Sequence, residues 1–231
     1  MIETKDLVKK YSGNTVLNLP DFKICAGECF GLVGNNGAGK TTFFSLILDL
    51  IEATSGKVLS KGIEVRMSEH WKKFTGSYLD ERFLIDFLTP EEYLEFVRKT
   101  YSISLEDYKM FLERFGEFFN GEILNKKKYI RDLSRGNQKK IGIAASMLSN
   151  PEVLILDEPF PHLDPTSVFR LKKMLNEYHQ TRRTTILISS HDLNHVTEVC
   201  ERIAILERGN IIHDLKTNDS TLQKLQSYFA V

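Results

Sequence analysis

The nine residues Gly34-Asn35-Asn36-Gly37-Ala38-Gly39-Lys40-Thr41-Thr42 constrain this chain more than any other stretch. The apolar run Cys29-Phe30-Gly31-Leu32-Val33 in front of them reads as a buried strand, and residues 42–48 behind them carry apolar positions at helical spacing. A glycine-rich turn in that setting is a phosphate-gripping loop. Gly34, Gly37 and Gly39 let backbone N–H groups turn toward an anion without a Cβ in the way, and the following helix adds its positive N-terminal end. Lys40 then reaches the β- and γ-phosphates, and the Thr41 hydroxyl is offered to Mg²⁺.

A chain of 231 residues holds one sizeable domain with room for an inserted subdomain. With 31 Lys+Arg against 31 Asp+Glu, no net field draws it to nucleic acid or to an anionic membrane surface, so no nucleic-acid partner is expected. Cys25, Cys29 and Cys200 have no zinc-ribbon spacing and fit a reducing cytosol, Cys29 and Cys200 as small core residues. The N-terminus has no basic-then-apolar signal pattern, and nowhere do eighteen apolar residues run together, so any membrane role is expected to run through a partner.

The remaining sequence alternates strands and helices. Residues 2–11 read as an edge strand, 15–19 and 22–24 as short strands, and Val58-Leu59 with 63–65 as a hairpin around Lys61-Gly62. From 76 to 135 helical signals dominate: Thr89 as N-cap, Pro90 at the first helical position, then apolar spacing from Leu105 to Phe119 with Gly121 as terminator. Lys126-Lys127-Lys128 is a solvated face. Core-like runs return at 153–156, 185–189 and 203–206, and the tail from Ser220 puts Leu222, Leu225 and Phe229 on one helical face. Such alternation predicts a doubly wound α/β core over 1–75 and 136–215, a helical subdomain at 76–135 and a C-terminal helix over 216–231. A large C-terminal regulatory domain is not expected.

Two strand ends carry further chemistry. Asp157, closing the run Val153-Leu154-Ile155-Leu156, is placed to hold Mg²⁺ opposite Thr41, and Glu158 to polarise a water for attack on the γ-phosphoryl group. His191, after the strand 185–189, is placed to hydrogen-bond the γ-phosphate and to hold water and Glu158. Tyr11 is equally well a base-stacking aromatic or a packing residue at a strand end.

The ordered set of Gly34 to Thr41, Leu133-Ser134-Arg135-Gly136-Asn137, Leu154 to Pro159, Leu163-Asp164 and Ser190-His191-Asp192 resembles the ATP-binding cassette (ABC) ATPases, and among them the separate ATP-binding subunits of transporters. The resemblance covers nearly the whole chain. It implies a P-loop NTPase (RecA-like) core with an antiparallel β subdomain and an inserted α-helical subdomain. It also implies ATP and Mg²⁺ as ligands, and a transmembrane permease subunit that holds the chain at the inner face of the cell membrane. In the implied head-to-tail homodimer, Ser134 and Gly136 of one protomer close over ATP gripped by the other, Asp164 lies in the loop that crosses the interface, and Tyr11 stacks on the base. Three departures stand out: Glu81 where the family has Gln toward Mg²⁺ or water, Arg135 and Asn137 in the signature facing the partner's nucleotide, and Pro161-His162 before Leu163-Asp164. Of the apolar group Phe83-Leu84-Ile85 and Phe87-Leu88, some members are expected to receive a permease helix and at least half to pack inside the subdomain. The competing expectation is a single-cassette ATPase acting as an ATP-gated clamp or assembly factor.

Overall fold

A computed structural model describes residues 1–218 and 220–229. Its centre is a six-stranded sheet built from β3 (Cys29–Val33), β6 (Thr75–Tyr78), β7 (Val153–Asp157), β8 (Thr185–Ser190), β9 (Arg202–Glu207) and β10 (Asn210–Lys216), in the order β10-β9-β3-β8-β7-β6. All neighbours run parallel except β10, which closes one edge antiparallel to β9. Every residue of β3, β7 and β8 is buried, as parallel strands covered on both faces must be.

Side chains alternate across the pleat, which explains how these short apolar runs feed two cores at once. Leu154, Leu156, Ile186 and Ile188 face α3 (Leu105–Phe119), α4 (Arg135–Leu148), α5 (Pro165–Arg182) and α6 (Leu193–Val199). Val153, Ile155 and Leu187 face α1 (Lys40–Ile47) and a four-stranded antiparallel sheet of β1 (Ile2–Tyr11), β2 (Asn14–Ile24), β4 (Ser55–Ser60) and β5 (Ile63–Glu64). Burying a Leu or Ile side chain stabilises by roughly 1.5–3 kcal/mol, so each of these strands anchors both layers.

Four readings from sequence need correction. β1 is central, between β2 and β4, because register with residues 55–60 is set by pairing far along the chain. The two short strands expected between 15 and 24 are one, β2, which tolerates Pro20 because it lies on the sheet edge. Residues 76–78, read as the start of the helical segment, belong to β6 and pair with Leu154, Ile155 and Leu156 of the main sheet. Among the described residues of 216–231 only α7 (Thr221–Phe229) is helical, since β10 extends to Lys216; the side chain of Phe229 lies outside the described set. A close approach explains Gly76: a Cβ there would lie 1.8 Å from the Ser146 carbonyl oxygen, so α4 can seat on β6 only over glycine.

The helical segment begins with α2 (Pro90–Thr100), whose Thr89 and Glu92 form a capping box. α3 ends on Asn120 in the left-handed conformation, one residue before the expected Gly121. α4 leaves this segment, packing on α2 and α3 and also on β6 and β7. Ser134 at its N-cap therefore stands on the same rigid rod that lies against the ends of the core strands.

Candidate active site

β3 delivers the chain into the loop 34–39, and α1 takes it away. Gly39 caps α1 with φ 111° and no side-chain cap, which leaves the first N–H groups of the helix for an anion. Lys40 is buried and curls back over the loop, donating from Nζ to the Gly34 carbonyl at 2.6 Å and to that of Asn35 at 3.4 Å. Ala38 N–H donates to the Asn35 carbonyl at 3.1 Å, closing a tight turn over Asn36 and Gly37. Thr42 follows in the first turn of α1.

The end of β7 meets this loop. The Thr41 hydroxyl donates to Oδ2 of Asp157 at 2.5 Å, and the Ser189 hydroxyl, at the end of β8, donates to Oδ1. Burial pushes the Asp157 carboxyl above its ordinary range, and these two hydroxyls oppose that rise. Glu158 follows with φ 45°. Its N–H donates to Ser189 Oγ at 2.9 Å, its Oε1 stands 3.4 Å from Lys40 Nζ, and its Oε2 meets Nδ1 of His191 at 2.9 Å. Lys40, Thr41, Asp157, Glu158 and His191 thus converge from three parallel strand ends, where open α/β sheets place their ligands.

A hydroxyl and a carboxylate side by side are hard oxygen donors of the kind Mg²⁺ takes, and Mg²⁺ is usually held by one or two carboxylates together with substrate phosphates. Thr41 and Asp157 fit that need. Glu81 stands on a separate element. It opens a short turn at 81–83 and its Oε1 lies 3.9 Å from Nζ of Lys139, while among the described residues no hydrogen bond joins it to Thr41 or Asp157.

Lys139 is one of two site residues missed from sequence. It lies on α4, is 5% exposed, and donates to the main-chain oxygen of Glu158 at 2.7 Å; burial lowers its pKa. No local signal marked it, since Lys139-Lys140 early in a helix reads as solvent-facing; only in the fold is it buried together with the run 141–148. Ser189 is the other, bridging Asp157 and Glu158 from a position that reads only as the last residue of an apolar strand.

The second group of predicted residues stands apart. Ser134 accepts from the Asn137 N–H at 3.3 Å, and Arg135 is exposed. Gly136 lies against the loop before α5, where a Cβ would meet the His162 carbonyl at 2.5 Å. Asp164 caps α5 and reaches Lys140 at 3.4 Å. Tyr11 is 47% exposed at the end of β1, with Lys9 Nζ 4.6 Å from its ring centroid. Among the described residues no hydrogen bond or ion pair connects Ser134, Arg135, Asn137, Asp164 or Tyr11 to the loop 34–42.

The sequence model of a family described as ABC transporter matches residues 17–161. The bacitracin transport ATP-binding protein BcrA of Enterococcus faecalis is 32% identical over 222 residues, which is 95% of this chain and 70% of that protein. The lantibiotic transport ATP-binding protein SrtF of Streptococcus pyogenes is 31% identical over 212 residues, 92% of this chain and 89% of SrtF. A solved structure described as the ATP-binding subunit of an ABC transporter superposes with a TM-score of 0.87 at 28% identity, covering 100% of this chain and 98% of that one.

Proposed function

The chain belongs to the ABC transporter family of ATP-binding proteins, and on that footing we propose that it hydrolyses ATP to drive a substrate through a separate membrane-spanning permease. The observation that carries this reading is the convergence of Lys40, Thr41, Asp157, Glu158 and His191 at one set of strand ends, with the signature residues Ser134 and Gly136 held elsewhere. A complete site then takes two copies, head to tail.

In the mechanism, loop N–H groups and the N-terminus of α1 receive the phosphates, and Lys40 turns from the Gly34 carbonyl and Glu158 to the β- and γ-oxygens. Mg²⁺, held by Thr41 and Asp157 with those phosphates, would neutralise charge developing on the transferred group. Glu158 takes the proton of a water whose oxygen bonds the γ-phosphorus as the bridge to the β-phosphate breaks and ADP leaves. His191 holds the Glu158 carboxylate in line. From the second copy, Ser134, Gly136 and the N-terminal end of α4 close over the γ-phosphate, Arg135 and Asn137 border it, and Asp164 lies at the seam. Tyr11, on a hairpin whose Val16 carbonyl would lie 2.9 Å from a Cβ on Gly39, is the base-stacking residue.

The permease meets a groove of about 430 Å³ beside α4, lined in part by Leu48, Tyr78, Phe83, Leu84, Tyr93 and Val97. Phe83 and Phe87 are 62% and 61% exposed, whereas Leu84, Ile85 and Leu88 are half-buried. Exposed aromatics on a concave apolar surface suit an amphipathic helix. Among the described residues no helix is long and apolar enough to cross a membrane. A clamp or assembly role is less favoured, the named relatives being transport proteins. Capture of the tagged chain from detergent-solubilised membranes tests the reading: it should bring down a multi-span membrane protein, and recovery of soluble proteins alone would overturn transport.

A further inference from the structure

Resting on that ATPase reading, we propose that Lys139 is a positioning residue that holds the main chain of Glu158 and links it to the signature helix. A lysine 5% exposed in the second turn of α4 is costly unless its ammonium is fully engaged. Here it is engaged by two groups of the site, the Glu158 carbonyl at 2.7 Å and Glu81 Oε1 at 3.9 Å, with the Tyr78 ring centroid at 5.9 Å.

Glu158 needs holding. Its φ of 45° is in the left-handed region, which a non-glycine residue occupies only when its surroundings impose it. Two hydrogen bonds do so, one on each side of its Cα. Its N–H donates to Ser189 Oγ at 2.9 Å, and its C=O accepts from Lys139. Fixing both flanking peptide planes sets the direction in which the carboxylate leaves β7, into the gap between Lys40 and His191. Ser189 ties Glu158 to the rigid sheet. Lys139 ties it to α4, whose N-cap is Ser134 and whose first turn holds Gly136. A shift of α4 on engaging the second copy's nucleotide is therefore one side chain away from the hydrolytic carboxylate. Glu81 supplies the charge that keeps the buried ammonium in place, so Lys139 and Glu81 act as a unit.

The test uses the full chain, steady-state ATP hydrolysis and titration with trinitrophenyl-ATP. Lys139→Gln should lower kcat roughly 10- to 100-fold, the range a small misplacement of a reacting group produces, while KM and affinity for the analogue hold. Lys139→Arg should restore most of the rate, since it keeps charge and donors. Glu81→Gln, at a partly exposed position that does not endanger folding, should slow turnover without weakening binding of the analogue in the absence of Mg²⁺. The double variant should be no slower than Lys139→Gln alone. Unchanged turnover in either single variant, failure of Lys139→Arg to rescue, loss of affinity in parallel with rate, or additive effects would overturn the proposal. Absence of ATP hydrolysis by the unsubstituted chain would overturn the ATPase reading itself, and this proposal with it.

Discussion

Nζ of Lys40 lies 3.4 Å from one oxygen of Glu158, whose other oxygen meets Nδ1 of His191 at 2.9 Å. The lysine proposed to grip phosphate is paired with the carboxylate proposed to activate water. An incoming nucleotide must separate them, and its own negative charge then faces Glu158. Glu158→Gln removes both costs. An ion pair of roughly 1 kcal/mol corresponds to about a fivefold gain in affinity for trinitrophenyl-ATP, read by fluorescence titration. Equal or weaker binding in the variant would show that the pair does not compete with nucleotide.

Asp164 carries an acid-sensitive share of stability. The Ser167 hydroxyl and N–H, with smaller help from Lys140, hold its carboxyl at about 2, below the ordinary 3.8. A group with a depressed folded-state pKa stabilises fully above its ordinary value, and that contribution is lost as pH falls through the lower one. The side chain is 49% exposed, so solvent screens its charge and the helix cap dominates. Asp164→Ala should cost roughly 1 kcal/mol at neutral pH. Urea denaturation should show that gap narrowing between 3.8 and about 2; a gap independent of pH would contradict the assignment.

Gly136 faces the carbonyl of His162, which itself has φ 69°. A methyl group there would sit 2.5 Å from that oxygen, so either α4 or the loop before α5 must shift. Overpacking of this kind costs roughly 1–3 kcal/mol. Gly136→Ala is expected to lower the melting temperature and to abolish hydrolysis while trinitrophenyl-ATP still binds, because the loop 34–42 is untouched. Wild-type turnover in this variant would remove the contact from the account.

Phe83 is exposed at the groove, whose lining includes no residue of the nucleotide loop 34–42. Phe83→Ala should weaken recovery of the membrane partner from solubilised membranes with ATP affinity unchanged. Undiminished recovery would place the permease elsewhere.

The loop proposed to grip phosphate was legible as a strand-loop-helix turn because it is local: glycines, Lys40 and Thr41 are neighbours in the chain, and the strand and helix around them announce themselves by periodicity. Asp157 and His191 were legible as polar residues ending apolar runs. What depends on pairing far along the chain was not. Thr75-Gly76-Ser77-Tyr78 has little apolar signal, and it becomes a core strand only by lying beside β7. β1 has the alternation of an edge strand, and only its second partner makes it central. Lys139 reads as a surface lysine on a helix, since burial beside Glu81 and Glu158 follows from how α4 crosses the strand ends. Glu81 kept its place near the site but acquired a lysine as its neighbour, a pairing between elements that no local pattern encodes.

The head-to-tail site is tested most directly by the mass of Glu158→Gln in solution. With water activation removed and the phosphate grip kept, light scattering should give twice the 26.6 kDa chain mass in ATP and Mg²⁺, and the single-chain mass without nucleotide. A single-chain mass with ATP bound, or near-normal hydrolysis by the variant, would contradict it.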